Sequence, residues 1–206
     1  MHALLSLIRE HEVISRLLDG LAGYARRLVD PQGRAADPQD LAAFAQVFRG
    51  FADELHHEKE EEILQPILSR HGFHWTEGLL ADVRTDHQRE RYLMEVLGQA
   101  AECELEWTDE DRRSIAATAL AFVRFEREHL QMENEQLFPE VIRRSGGDVL
   151  EELRVALERF DRVPRHMAVR AEVLRVADDL ITRYAPAART AGSAPAPIEP
   201  AANATR

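Results

Sequence analysis

The sequence predicts an all-α protein: an up-down four-helix bundle with one or more further helices at the C-terminus. Three observations carry this. Four long segments place apolar residues at steps of three and four, the period of a helix. Aromatic residues are only 6% of the chain, and Ala, Leu, Glu and Arg dominate, a mixture that favours helix over sheet. No segment shows the strict alternation of a half-buried strand.

The first segment runs from about His2 to Val29 through Leu4, Ile8, His11, Ser15, Leu18, Ala22 and Ala25. Asp30-Pro31-Gln32-Gly33 ends it, because proline and glycine continue a helix only at a cost. Asp37-Pro38 then reads as an N-cap followed by proline in the first turn. The second segment passes Leu41, Phe44, Phe48, Phe51 and Leu55 and reaches about Arg70, where His71-Gly72-Phe73-His74 forms a turn. The third opens near Thr76 and carries Leu80, Val83, His87, Met94, Leu97 and Ala101. Thr108 caps the fourth, whose stripe is Ile115, Ala119, Phe122, Phe125, His129, Met132, Leu137 and Val141.

Residues 1–145 are thus expected to form the bundle. Residues 146–185 read as a helical extension packed on it, kinked at Pro164. Residues 186–206, rich in Ala and Pro and poor in bulky apolar groups, read as a disordered tail.

A net charge of −11 lacks the basic footprint of a nucleic-acid binder and opposes docking to anionic lipid. One cysteine, Cys103, leaves no internal disulfide and no cysteine-ligated cluster within the chain. The apolar run Met1–Ile8 lacks a charged start and is cut by Arg9-Glu10-His11-Glu12, and no run approaches a membrane span. A cytoplasmic protein without a membrane or nucleic-acid partner is the expectation, as monomer or homodimer.

Histidines fall on the buried stripes where the period calls for an apolar residue. A buried imidazole needs a hydrogen bond or a metal. Two of them are followed by glutamate at i+4, His56-x-x-x-Glu60 and His129-x-x-x-Glu133, a spacing that stacks both side chains on one helix face. The chain also repeats itself. His11 with Leu17, Leu18 and Leu21 matches His87 with Leu93, Met94 and Leu97; His56, Glu60, Leu64 and Pro66 match His129, Glu133, Leu137 and Pro139. Four imidazoles and two carboxylates converge from four helices, a donor set that suits iron, manganese or zinc, with two glutamates placed to bridge two ions. The repeat selects His56 over His57, which aligns with Leu130 and is expected beside the ligands or at the surface. Glu10, Glu12 and Asp86 are candidates to orient the histidines. Tyr24 and Tyr92 read as packing residues, with a redox relay as the alternative.

On Arg9-Glu10-His11, His56-His57-Glu58-Lys59-Glu60-Glu61 with Leu64 and Pro66, Asp86-His87 with Arg91, and His129 with Glu133 and Leu137-Phe138-Pro139, the chain resembles the hemerythrin-like, HHE cation-binding family. The resemblance implies a non-haem di-iron site that meets O2, peroxide or nitric oxide. By motif, His11 and His56 would hold one iron, His87 and His129 the other, and Glu60 and Glu133 would bridge them, with manganese or zinc as substitutes. Two departures stand out. The fifth histidine of the oxygen carriers is missing, since Val83 and Arg91 occupy the flanking positions, and Glu90 stands where relatives often have glycine. Glu90 is expected either to replace the lost ligand or cap the open position, or to pair with an arginine such as Arg91. Three functions compete: a peroxide- or O2-consuming di-iron protein, a non-catalytic sensor or iron donor, and a structural bundle with satisfied histidines.

Overall fold

In the computed structural model, which describes residues 3–31, 36–73, 79–103 and 106–184, the chain forms six helices, and no strand occurs among the described residues. They are α1 (Leu5–Leu28), α2 (38–70), α3 (Leu79–Ala101), α4 (109–144), α5 (Gly147–Asp161) and α6 (Pro164–Tyr184). The expected kink at Pro164 is a full break, because two residues separate the end of α5 from the proline that starts α6. The expected tail, 186–206, lies outside the described residues.

Local chemistry sets the helix ends. Asp37 caps α2, its side chain accepting from the Gln39 amide at 2.9 Å, and Pro38 fills the first turn. Thr108 and Asp111 form a reciprocal capping box that starts α4. Gly72, at φ 83°, supplies the left-handed residue after α2.

Both α2 and α4 are long because they absorb a proline. The turns Glu60–Leu64 and Glu133–Leu137 are wound as π-helix, followed by Pro66 and Pro139. In each, the last amide before the proline bonds five residues back, Gln65 to the Glu60 carbonyl and Phe138 to the Glu133 carbonyl. A wider turn relieves the clash that a proline ring otherwise makes with the carbonyl four residues earlier. The sequence repeat is therefore a repeat of backbone geometry, with a glutamate opening each widened turn.

Two apolar cores lie at opposite ends of the bundle. One contains Leu4, just before α1, and Leu7 of α1, Leu64 and Leu68 of α2, Val83 of α3, Leu137 and Val141 of α4, and Leu153 and Leu157 of α5. The other contains Ile14 to Leu28 of α1, Leu41 to Leu55 of α2, Met94 and Leu97 of α3, Ile115 to Leu130 of α4, and Leu180 and Tyr184 of α6. Chain direction between the cores alternates from α1 to α4, which makes the bundle up-down. Each fully buried large apolar side chain contributes about 1.5–3 kcal/mol, so the two cores dominate stability. Ser15, expected on the buried stripe of α1, is exposed; Ile14 and Leu17 take the core positions.

Helices α5 and α6 each cover one core. The end of α6 approaches α1 closely at Gly23, where an added Cβ would fall 2.0 Å from the Tyr184 carbonyl oxygen. No described helix is long and apolar enough to cross a membrane.

Candidate metal centre

Between the two cores runs a layer of buried polar groups: Glu10, His11, His56, His57, Lys59, Glu60, His87, Glu90, Glu126, His129 and Glu133. Eleven such groups in one layer need mutual partners or cations, since each buried polar atom left alone costs about 1–3 kcal/mol.

The six residues singled out by the sequence meet here. They form two overlapping groups, His11, His56, Glu60 and Glu133, and Glu60, His87, His129 and Glu133, each with ligand atoms within 4.8 Å of one another. The glutamates belong to both. Glu60 turns Oε1 toward His56 Nε2 (3.9 Å) and Oε2 toward His87 Nε2 (3.2 Å). Glu133 turns Oε2 toward His11 Nε2 (3.2 Å) and Oε1 toward His129 Nε2 (3.4 Å). Each carboxylate thus spans the same two positions.

The opposite edges of the imidazoles are held from outside. His11 Nδ1 donates to Asn134 Oδ1 at 3.0 Å, His56 Nδ1 to Glu10 Oε2 at 3.3 Å, and His87 Nδ1 to Glu61 Oε1 at 2.8 Å. His129 Nδ1 lies 3.4 Å from Asp86 Oδ2. Hydrogens on Nδ1 leave the Nε2 lone pairs facing inward, the tautomer that a metal requires. Glu10 and Asp86 were anticipated in this role; Glu12 is exposed, and Asn134 and Glu61 were not anticipated. Glu61 entered the sequence reading only as part of the motif His56-His57-Glu58-Lys59-Glu60-Glu61, without a role.

The residues fit a pair of cations. Glu60 and Glu133 hydrogen-bond to nothing among the described residues through any of their four carboxylate oxygens, and His87 Nε2 and His129 Nε2 are equally unpartnered. His11 Nε2 and His56 Nε2 stand 3.0 Å apart, a gap that only a proton or a cation can occupy once both Nδ1 hydrogens are committed. Protons fill the role in the metal-free protein. Burial disfavours charge on His87, but Glu60 and Glu61 outweigh it and raise its pKa to about 10. Burial likewise opposes ionisation of Glu60, yet His56, His87 and His129 hold it well below the usual carboxylate range. Metal binding would displace those protons.

For His57 and Glu90 the structure separates the alternatives that the sequence left open. His57 takes the first of its two expected places, beside the candidate ligands and not at the surface. It is buried, stacks on His87 (ring centroids 3.9 Å apart) and faces Glu90, with Nε2 3.1 Å from Glu90 Oε2. Glu90 does not pair with Arg91, whose guanidinium binds Asp53 at 2.6 Å and Glu61 at 2.9 Å. Beside Glu90 lies Glu126, which the helical stripe hid one position after Phe125. Burial, and then the proximity of Glu90, push the Glu126 carboxyl up to about 8.

The remaining described histidines, His71 and His166, lie apart from the layer. His71 sits 3.1 Å from Glu152 at the surface, and His166 donates to the Phe160 carbonyl. Tyr24 packs as expected, donating to the Asp37 carbonyl inside the core, whereas Tyr92, also expected to pack, is exposed. His2 and His74 lie outside the described residues.

A cavity of about 280 Å³ opens beside the layer, lined by Phe48, Ala52, His57, Glu90, Met94, Phe122 and Glu126 among others.

Comparison with known proteins agrees with this arrangement. Searches of curated proteins and of solved structures return no match. The Hemerythrin HHE cation binding domain matches residues 2–141, which include all six converging residues and, but for the last three residues of α4, the four helices that carry them. The chain belongs to the hemerythrin HHE cation-binding family.

Proposed function

We propose that this protein is a non-haem di-iron protein that binds, and reduces or scavenges, a small oxidant, peroxide or O2, with His11 and His56 on one ion, His87 and His129 on the other, and Glu60 and Glu133 shared. The supporting observation is that each of the two glutamates directs its two oxygens at histidines of different pairs. Four imidazoles and two carboxylates suit iron, and the same donors accept manganese or zinc. Iron bound there would supply reversible electron transfer.

The chain's own contribution is positional. Outer hydrogen bonds fix the imidazole tautomers, and the π-helical turns aim both glutamates into one layer. Phe138 stacks on His11, with ring centroids 5.3 Å apart, and shields that side from water. At about 280 Å³ the cavity is at or below the size of pockets that take organic ligands, and suits a diatomic molecule or peroxide.

Iron content and optical spectrum of the protein, before and after peroxide, test the proposal. About two irons per chain, both lost in Glu60→Gln/Glu133→Gln, and sustained release of one O2 per two H2O2 are the expected results. A spectrum that shifts once without turnover would move the protein to the O2-, nitric oxide- or iron-binding reading. Failure to bind iron after anaerobic reconstitution would reduce the layer to a structural network.

A further inference from the structure

His57, Glu90 and Glu126 come from α2, α3 and α4 and meet beside the six residues above. They are 2%, 3% and 0% exposed, and their ligand atoms lie within 4.8 Å of one another. Both ring nitrogens of His57 and all four carboxylate oxygens make no hydrogen bond among the described residues. His57 Nε2 and Glu90 Oε2 are 3.1 Å apart without hydrogen-bond geometry. Of the surroundings, Phe48, Met94 and Phe122 are apolar, Arg91 is committed to Asp53 and Glu61, and Arg49, also on the cavity wall, makes no ion pair with either carboxylate. Two carboxyl groups packed together in an apolar wall destabilise the bundle unless a proton or a metal cation joins them.

We propose that His57, Glu90 and Glu126 form a further divalent-cation site at the cavity wall, where a metal ion is held on its way to the buried pair of positions. The inference rests on the two-metal reading above. Two carboxylates neutralise a divalent ion, and one imidazole makes the set selective for a transition metal over calcium or magnesium. Adjacent ligands about 2.1 Å from one ion stand about 3 Å apart, matching the His57–Glu90 separation. Small side-chain movements bring in Glu126. The stacking of His57 on His87 puts the site next to the inner centre, and the cavity reaches it from the other side. With three protein donors against four at each inner position, it holds its ion more weakly, as transit requires.

Anaerobic titration of the metal-free full chain with cobalt(II), followed by calorimetry and visible ligand-field absorption, tests this. The wild type is expected to take up two tight equivalents and one weaker one. Glu90→Gln/Glu126→Gln, which keeps the side-chain shapes, should lose the weaker equivalent, keep the spectrum of the other two, and fill them several-fold more slowly. Glu60→Gln/Glu133→Gln should lose the tight equivalents and keep the weaker one. Circular dichroism checks that each variant folds, and Glu126→Gln alone replaces the double variant if that does not. Saturation of the wild type at two equivalents overturns the site. So does a third equivalent that survives Glu90→Gln/Glu126→Gln, which would lie on surface carboxylates. Loss of a tight equivalent in that variant would assign His57 and its neighbours to the inner centre itself. Cobalt binding untouched by Glu60→Gln/Glu133→Gln would instead refute the two-metal reading.

Discussion

Lys59 and Glu10 form an ion pair inside the bundle, Nζ to Oε1 at 2.7 Å, and Glu10 passes the contact on by accepting from His56 Nδ1. Lys59 is fully buried and also reaches Asp161 at 2.6 Å, at the end of α5. Arg170 of α6 closes the network on Glu10 (2.6 Å) and Asp161 (2.9 Å). The C-terminal helices thereby brace the carboxylate that orients a histidine of the metal centre.

Glu10 should make stability depend on pH at the acid end. Burial pushes its pKa up, but the hydrogen bond from His56 and the Lys59 ammonium outweigh this and bring it down from 4.5 to about 2. A depressed carboxylate pKa stabilises the fold above the unfolded value and loses that contribution as pH falls through the folded value. In the metal-free protein, Glu10→Gln should cost about 3 kcal/mol at pH 7. The gap to wild type should narrow between about pH 4.5 and 2, and denaturant unfolding at several pH values reads it. A gap that stays constant would mean that Glu10 acts by packing alone.

Lys59→Met removes the buried ammonium and keeps most of its volume. Arg170 still serves both carboxylates, so the loss belongs at the low end for a broken buried pair, about 3 kcal/mol. For a chain of this size the melting temperature should fall by about 6–12 °C. An unchanged melting curve would show that Arg170 alone neutralises Glu10 and Asp161.

Glu61→Ala leaves His87 without its Nδ1 acceptor while Arg91 keeps Asp53. Metal affinity should drop about 10- to 100-fold, and the metal-free protein, in which Glu61 helps hold the His87 proton, should lose stability as well. Competition against a chelator measures the first and thermal melting the second. Equal affinity in variant and wild type would mean that packing alone orients the ring.

Two glycines should respond oppositely to alanine. At Gly23 the new methyl would collide with the Tyr184 carbonyl, forcing α6 off α1 at a cost of about 1–3 kcal/mol. At Gly98, inside α3, the nearest atom is Ala45 Cβ at 3.7 Å, so alanine should stabilise by about 0.5–1 kcal/mol. The same sign of change at both positions would contradict the packing of α6 against α1.

Much of this protein was legible before any coordinates. Helix period and the capping residues Asp37 and Thr108 placed the helices, because backbone hydrogen bonding and local sterics act within a few residues. The repeat of His56-x-x-x-Glu60 and His129-x-x-x-Glu133, each followed by a proline at the same distance, picked out residues that converge in the fold. Spacing alone can do this because i and i+4 share a helix face wherever the helix packs.

What the sequence left undecided involves groups that face one another across helices. The sequence left His57 either beside the ligands or at the surface; α2 is π-wound through Arg49–His57 and buries His56 and His57 together. Glu126 and Lys59 fall among ordinary helical charges, and only the fold gives Glu126 a buried place beside Glu90 and ties Lys59 to Asp161. The sequence by itself determined the helices, their order and the six converging residues, since those follow from local period and repetition. Only the tertiary structure decided which carboxylates are buried, which cations meet them and where the cavity opens, because desolvation and Coulomb energies depend on neighbours far apart in the chain.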